Sequence, residues 1–359
     1  MQMIRKLGYF CAFSLPLLLI AGYYLGNEWL FMLPVFVFFI VPLIDILLGT
    51  DTSNIAEPLL PSAATEFYYL FLLYFWTLIQ SVLLIWACYE ATFENWNLLQ
   101  WIGMILGMGI ITGGIGITVA HELGHKKSNV ERFLSKVLLS EVCYTQFYIE
   151  HNRGHHVHVG TPSDPATSRK NESFYRFWKR SVFEGFSHAW KIENERLAKK
   201  GQPIFCFSNE MLGLTLAPLA LAAVFTLVFC LIRGDFVWEV PVFFFAQSIF
   251  AFSLLEGVNY IEHYGLMRKE LAPNKYEKVN TLHSWNSSQL LSNFFLFQLQ
   301  RHSDHHIFPA RRYQVLDHHD ESPQLPTGYP GMLLLAMIPP IWFKVMNKKL
   351  EEWEGRSAK

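Results

Sequence analysis

The sequence predicts an all-α membrane protein with six transmembrane helices and a cytosolic, histidine-rich cap that holds a di-metal site. Three observations predict it: a strongly apolar composition, six long apolar runs and three clusters of histidine. The 359-residue chain is 52% hydrophobic and only 16% charged, whereas soluble domains are about 25% charged. A net charge of −1 gives no sign of nucleic-acid binding.

Six apolar runs are each long enough to cross a bilayer. They extend from Leu7 to Leu25, Trp29 to Leu48, Phe67 to Tyr89, Leu98 to Ala120, Leu212 to Ile232 and Val237 to Ile261. The first run follows Arg5 and Lys6 and has no small-residue cleavage site after it, so we expect an anchor that remains in the protein. The glycines of the fourth run indicate close helix packing. The stretch Met332–Phe343 is too short to cross and is expected to be a core or interfacial segment.

These runs divide the chain into four regions. Residues 1–120 carry transmembrane helices 1–4, and residues 211–261 carry helices 5 and 6. Residues 121–210 and 262–359 are polar regions on the side of the membrane where both termini lie. The loops on the opposite side hold only Arg233 of the 29 lysines and arginines, so the positive-inside rule places the polar regions and both termini in the cytosol.

Nine histidines fall in or beside these cytosolic regions, in the motifs HELGH, HNRGHH, EHYG and HSDHH. Spacings of three or four residues place imidazoles on one helix face, where they can converge on a metal ion. Imidazole is a ligand for iron, copper or zinc and not for calcium or magnesium. Nine ligands exceed what one ion can hold, so the motifs predict two metal ions bound by these residues: His121, His125, His151, His155, His156, His263, His302, His305 and His306.

Polar residues beside the motifs are candidates to hydrogen-bond the second nitrogen of the ligand imidazoles. Helix capping and ordinary surface charge explain each of them about as well. The candidates are Glu122, Glu150, Asn259, Glu262, His283 and Asp304. The pair His318–His319 lies between acidic residues and near two prolines, and we interpret it as a solvated loop.

The motifs resemble those of the bacterial integral-membrane alkane 1-monooxygenases, within the membrane fatty-acid desaturase and hydroxylase superfamily. The similar stretches are HELGHKK from His121, EHNRGHHVHVGTPSDPA from Glu150, NYIEHYGL from Asn259, and LQRHSDHH with ARRYQVL from Leu299 to Leu316. The EHYG element is the specific one, because desaturases share the other three motifs only. Ser163 stands where the family usually has an acidic residue, and Ile307–Phe308 where it is usually small or polar.

The resemblance implies a non-haem di-iron centre ligated by the nine histidines and located in the bacterial cytoplasmic (inner) membrane. It further implies that O2 is used to hydroxylate the terminal methyl of n-alkanes. Electrons would come from rubredoxin, itself reduced by an NADH-dependent rubredoxin reductase. The five cysteines contain no CxxC pair, so the chain has no iron–sulfur site of its own. A basic stretch with interleaved aromatic residues can dock an acidic donor, although positive-inside topology explains it equally well: Arg169, Lys170, Arg176, Lys179 and Arg180.

Three alternatives compete with this interpretation. HELGH also satisfies the HExxH motif of zinc proteases, with Glu122 as base, but seven cluster histidines would then be idle. A membrane fatty-acid desaturase or hydroxylase retains the di-iron site and differs in substrate. A transition-metal transporter would carry its ligands near the membrane midplane, whereas the nine histidines lie outside the apolar runs. Trp76 and the glycine face of the fourth run are possible lining for an alkane channel, with packing or lipid contact favoured for each.

Overall fold

The computed structural model describes residues 2–357, and six helices within this range are long and apolar enough to cross a membrane. We call them spans 1 to 6. They are Arg5–Leu25, Asn27–Leu48, Phe67–Phe93, Leu98–Gly124, Glu210–Arg233 and Glu239–His263. All six predicted runs are therefore confirmed, and the chain is an integral membrane protein. Spans 4 and 6 continue past their apolar runs, which brings His121 and His263 into their last turns.

Shorter helices and one small hairpin fill the intervals between and after the spans. The α-helices outside the spans are Leu60–Thr65, Asn129–Ser140, Phe147–Ile149, His156–His158, Phe174–Lys199, Leu290–Phe295, His302–Ile307, Tyr329–Ala336 and Pro339–Ser357. Wider π-helical turns occur at Phe36–Ile40, Ile110–Gly116 and Glu150–His155. The strands Glu270–Ala272 and Lys275–Tyr276 pair antiparallel.

The chain divides into two compact units. The first contains residues up to Val37, Glu66–Ile149 and Ala189–Leu255. The second contains Phe38–Thr65, Glu150–His188 and the residues from Glu256 onward.

Span 4 is the central helix of the first unit. In its most apolar 18-residue stretch 78% of the residues are buried, against 17% for span 5. Its glycines permit close helix contact: a Cβ added at Gly113 would lie 2.4 Å from the carbonyl oxygen of Ala251 in span 6. A Cβ at Gly107 would lie 2.5 Å from the Leu19 side chain in span 1. The expected role in helix packing is confirmed for Gly107 and Gly113, whereas Gly114 has no described atom of another element within 4 Å of an added Cβ.

A buried polar network also lies in the first unit. The Glu141 carboxylate accepts hydrogen bonds from Gln80 Nε2 at 2.8 Å and from the Ser81 hydroxyl, and Gln80 Oε1 accepts one from Trp76 Nε1. Burial raises the pKa of Glu141 to about 7, although the hydrogen bonds from Ser81 and Gln80 oppose the shift. Trp76 is therefore packed within this network, as the sequence favoured over a place in a channel.

Aromatic residues form the core of the second unit. Tyr260, Trp285, Tyr329 and Trp342 are each at most 1% exposed and belong to one apolar cluster. Met332 and Trp342 lie in that cluster, so the short stretch Met332–Phe343 contributes to the core, one of the two places that the sequence predicted for it, while Met337, Ile338 and Ile341 are exposed. His263 adjoins this cluster, because its chain neighbours Tyr260, Ile261 and Tyr264 belong to it.

Candidate metal centre

Four buried histidines of the second unit converge into a group that can hold a metal ion. His155 ends the π-helical turn Glu150–His155, His263 ends span 6, and His302 and His306 lie one turn apart on the helix His302–Ile307. Each is at most 3% exposed. One ligand atom from each of the four lies within 4.8 Å of those of the others.

The contacts within this group are those of ligands around a shared centre. His302 Nε2 lies 3.3 Å from His263 Nε2 and 2.9 Å from His306 Nε2. An imidazole nitrogen has one proton or one lone pair and cannot make good hydrogen bonds to several partners at once. Metal–nitrogen bonds of about 2.1 Å place neighbouring ligand atoms about 3.0 to 3.4 Å apart. The separations match those of ligands.

Three further histidines of the second unit form a second group with the same spacing. His156 Nε2 lies 3.0 Å from His151 Nε2 and 3.1 Å from His305 Nε2. The sequence predicted these residues as metal ligands without assigning any of them to a particular ion. The wider π-helical turn places His151 beside His156 and directs His155 to the four-histidine group.

The first unit contributes the remaining pair of predicted ligands. His121 lies in the last turn of span 4 and His125 follows the end of that span. Their Nε2 atoms are 3.3 Å apart. The expected i, i+4 placement of the two imidazoles on one face is confirmed.

The donor set fits a transition metal. All of these ligand atoms are imidazole nitrogens, which suit iron, copper and zinc. Among the residues that the structure describes, none hydrogen-bonds the buried Nε2 of His155. A bound ion would satisfy this atom, which is otherwise costly to bury.

Asp164 fixes the other face of His155. Its Oδ2 accepts a hydrogen bond from His155 Nδ1 at 2.9 Å and another from the Thr167 hydroxyl at 2.6 Å. Burial opposes its charge, yet His155 and Thr167 lower the pKa of Asp164 below its ordinary value. This arrangement leaves Nε2 as the atom that faces the group. Asp164 lies within the quoted stretch GTPSDPA, but nothing in its spacing from His155 identified it as a partner.

Glu262 and Glu150 have distinct partners. Glu262 is 1% exposed. Its Oε1 accepts a 2.6 Å hydrogen bond from the Tyr329 hydroxyl, and its Oε2 lies 3.2 Å from His302 Nε2. Glu262 therefore contacts Nε2 of His302, the nitrogen that faces the other histidines. We had expected it to hydrogen-bond the second nitrogen of a ligand imidazole, the one that faces away from the metal. Glu150 lies beside His188, with 3.3 Å between Glu150 Oε1 and His188 Nδ1.

The sequence suggested that Asp304 hydrogen-bonds a ligand imidazole, but its contacts are with other residues. Its carboxylate is fully buried and accepts hydrogen bonds from Arg311 Nη1, from the Asp317 main chain and from His319 Nε2. Asp304 thus ties the helix that carries His302, His305 and His306 to the segment that follows it.

The other three candidates are Glu122, His283 and Asn259. Glu122 forms a buried ion pair with Lys126, 2.9 Å between Oε1 and Nζ. A glutamate in such a pair is poorly placed to act as the free base of a zinc protease. The carbonyl oxygen of His283 accepts a long contact, 3.5 Å, from His263 Nδ1, while its ring binds Glu277 and the main chain of Asn280. Asn259 is 6% exposed in the penultimate turn of span 6.

His318 and His319 belong to neither group of potential metal ligands among the described residues. His318 contacts the Ser288 hydroxyl at 2.8 Å and Asp320 at 3.1 Å. Both residues are partly buried and hydrogen-bonded rather than fully solvated, and the interpretation that they do not bind metal stays a prediction.

Four residues of the basic stretch are exposed, and Arg180 is not among them. Its guanidinium donates to Glu172 and to the carbonyl oxygens of Pro165 and Thr167, and its side chain is 11% exposed. Arg180 therefore anchors the loop that carries Asp164, which corrects its expected place in a docking surface. The exposed members are Arg169, Lys170, Arg176 and Lys179.

The fold and site define a class: predominantly helical integral membrane proteins whose clustered histidines can hold metal. In agreement, the fatty acid desaturase family model matches residues 94–335, which include all nine histidines. The chain is 43% identical to alkane 1-monooxygenase 2 of Pseudomonas aeruginosa, over 91% of this chain and 85% of that protein. It is 42% identical to alkane 1-monooxygenase 1 of the same organism, over 98% and 93%. Alkane 1-monooxygenase 2 of Alcanivorax borkumensis is 41% identical, again over 98% and 93%.

The chain belongs to the alkane 1-monooxygenase family. The resemblance drawn from its histidine motifs is confirmed, and with it the interpretation of the chain as an enzyme.

Proposed function

We propose that this protein is a non-haem di-iron monooxygenase that hydroxylates the terminal methyl of n-alkanes to 1-alkanols with O2 and electrons from rubredoxin. The observation that carries the proposal is the grouping of buried imidazoles with ligand-like separations in a chain about 42% identical to alkane 1-monooxygenases. A zinc protease is disfavoured because Glu122 is engaged with Lys126.

We assign the nine motif histidines as ligands of two iron ions. His155, His263, His302 and His306 would hold one ion. His151, His156 and His305 would contribute to the other, and we add His121 and His125 because of their spacing in the sequence. Bound iron would supply the redox chemistry by which dioxygen is reduced and one oxygen atom enters the substrate.

The protein would orient these ligands and the substrate. The Asp164 carboxylate accepts the Nδ1 proton of His155, which leaves Nε2 available to a metal. An alkane has no polar group to bind, so its position would depend on apolar surface alone. It would reach the site from the bilayer, where alkanes dissolve.

We place the protein in the bacterial inner membrane with both termini and the histidines cytosolic. The support is the distribution of basic residues, of which only Arg233 lies on the opposite side. Rubredoxin, reduced by an NADH-dependent reductase, would then deliver electrons from the cytosol.

Metal analysis and turnover on one detergent-purified sample test the proposal. We expect about two irons per chain and rubredoxin-dependent formation of 1-octanol from octane. His155→Ala should lose about half of the iron and all turnover. The matched control His318→Gln, in a histidine outside both groups, should retain both. Zinc in place of iron with no oxygenation would contradict the proposal.

The main alternative substrate is a fatty acyl chain, since the matching family model is that of fatty acid desaturases. The same preparation, offered octane and a fatty acid in separate reactions, distinguishes the two. Oxidation of the acyl chain alone would replace the alkane in the proposal while keeping the metal centre.

A further inference from the structure

The first two turns of the helix that follows span 4 bury polar residues and expose apolar ones. In Asn129–Ser140, Glu131 and Ser135 are at most 3% exposed, and the Ser135 hydroxyl donates to a carbonyl oxygen of span 4 at 2.6 Å. On the outer side Val130 is 57% exposed and Phe133 is 64% exposed. A surface helix in water has the opposite arrangement, with its apolar stripe toward the core and its charges outward. The outer side of this helix is therefore suited to an apolar environment.

The loop before span 5 also directs large apolar side chains outward. Residues 200–209 connect the helix Phe174–Lys199 to that span. Within this loop Ile204 is 46% exposed, Phe205 is 84% exposed and Phe207 is fully exposed. Single exposed apolar residues are normal on a protein surface, whereas a contiguous group of them marks a contact with another apolar surface.

Polar contacts at the base of this loop hold its main chain in place. Arg196 Nη2 donates to the Ser208 carbonyl oxygen at 2.6 Å, and Asn209 Nδ2 donates to the Ile204 carbonyl oxygen at 2.7 Å. Asn209 Oδ1 accepts hydrogen bonds from the main-chain N–H groups of Met211 and Leu212 and so caps span 5. The apolar side chains are therefore presented by a hydrogen-bonded loop that is continuous with the start of the span.

The helix and the loop lie on the same side of the membrane, at the level where two spans end. Span 4 ends at Gly124 and span 5 begins at Glu210, and no span lies between these two residues. Lys136 of the helix forms an ion pair with Glu210, 3.7 Å between Nζ and Oε1. The two apolar surfaces therefore belong to neighbouring elements of the first unit.

The neighbouring charges and the adjoining span favour lipid as the partner of these surfaces. Lys199 and Lys200 are exposed at the start of the loop, and Lys127 is exposed just before the helix. Basic side chains beside an apolar interfacial surface can reach lipid phosphates while the apolar side chains enter the membrane. The most apolar stretch of span 5 is only 17% buried, so most of that span is available to lipid. The loop extends this apolar surface to the edge of the bilayer.

We propose that the helix Asn129–Ser140 and the loop of residues 200–209 form an interfacial platform that inserts its apolar side chains into the adjacent lipid leaflet. Helices that lie in a membrane interface bury their apolar face about 5 to 10 Å into the boundary between headgroups and acyl chains. Such contact would fix the depth at which span 4 leaves the bilayer. The inference concerns the lipid surface and is independent of the proposed metal and substrate.

Photo-crosslinking in a membrane tests the proposal. Phe133 or Phe207 is replaced by the photoreactive amino acid p-benzoylphenylalanine, which keeps an apolar aromatic side chain at that position. The full chain is reconstituted into vesicles of a single phosphatidylcholine and illuminated. We expect each variant to gain the mass of one phosphatidylcholine molecule in intact-mass spectrometry. The yield should be comparable to that of the same replacement at Leu219, which is 51% exposed in span 5.

Glu195 is the matched control, because it is exposed on the helix that leads into the loop but carries a charge. The same replacement there should give little lipid adduct, and a yield equal to that at Phe207 would overturn the proposal. Crosslinking of the platform positions to a second copy of the chain without lipid would overturn it too, as would no adduct at either position while Leu219 reacts. A lipid adduct at only one of them would refute a joint surface. Val130 and Phe205 are the substitute positions if either variant is not produced.

Discussion

At the scale of single residues, the charge and direction of each polar side chain determine what the histidines can bind. Asp164 accepts a hydrogen bond from His155 Nδ1, and both side chains are buried. Removing its charge should loosen the ring and weaken metal binding. For partners of this kind the loss of metal affinity is about 10- to 100-fold.

We therefore expect Asp164→Asn to release iron to a competing chelator at about tenfold lower chelator concentration than the wild type. The asparagine has nearly the same shape, so packing is retained while the charge is lost. Ser163→Ala, a change at the exposed neighbour, should leave the chelation curve in place. Coincident curves for Asp164→Asn and the wild type would show that Asp164 has no part in holding the ligand.

Glu141 gives a prediction about pH. Its pKa is about 7 in the folded protein and 4.5 ordinarily, so the folded state retains a proton that the unfolded chain loses between these values. The contribution of Glu141 to the free energy of unfolding is therefore fully present below about pH 4.5. It declines as the pH rises to about 7, in total by roughly 3 kcal/mol. Glu141→Gln cannot lose a proton and should abolish this decline.

Thermal unfolding in detergent at pH 5, 6, 7 and 8 measures the effect. The difference in midpoint between Glu141→Gln and the wild type should increase up to pH 7 and then stay constant. Parallel curves for the two proteins would contradict a raised pKa for this group.

At the scale of elements, backbone geometry determines which residues meet. Gly113 lies in the π-helical turn of span 4, where an added Cβ would come within 2.4 Å of the main chain of Ala251. Main-chain atoms cannot move aside as a side chain can, so Gly113→Ala should force spans 4 and 6 apart. We expect a loss of about 1 to 3 kcal/mol, as in other overpacked sites.

Gly114→Ala is the control in the adjacent position, because no described atom of another element lies within 4 Å of a Cβ placed there. That variant should be neutral or slightly more stable, since alanine is the better helix former. Equal unfolding midpoints for the two alanine variants would show that the close approach of spans 4 and 6 at Gly113 does not contribute to stability.

The elements also show how far the sequence could be used for prediction. Six spans followed from length and apolarity, because each main chain in a bilayer must satisfy its own hydrogen bonds over about 20 residues. The spacing of His121 and His125 was enough to place their imidazoles on one face. Spacing could not assign His151, His155 and His156 to one group or the other, since α-helical periodicity does not describe a π-helical turn.

Contacts between distant parts of the chain lay beyond sequence reasoning. Glu262 and Tyr329 are 67 residues apart, and no local pattern predicts that they bond. In sequence Arg180 does not differ from its basic neighbours, but in the structure its guanidinium donates hydrogen bonds to the carbonyl oxygens of Pro165 and Thr167. The assignment of the nine histidines to iron, by contrast, depends on chemistry and stays a prediction until metal is measured.

At the scale of the whole molecule, the proposed enzyme has to receive electrons from another protein. Arg169, Lys170, Arg176 and Lys179 are the exposed members of the basic stretch. An acidic rubredoxin would be attracted to these charges, and attraction between exposed charges acts mainly on the rate of association and is screened by salt.

Reversal of these four charges to glutamate should therefore lower the rate of rubredoxin-dependent turnover about 10-fold or more at low ionic strength. The difference from the wild type should shrink as salt is added, while turnover at saturating rubredoxin stays close to the wild-type value. Lys344→Glu with Lys348→Glu, two exposed positions in the last helix, controls for a general effect of charge. If both reversals slow turnover equally, the basic stretch contributes only through net charge. If neither does, its lysines and arginines are explained by membrane topology, which requires positive residues on this side whether or not a partner docks there.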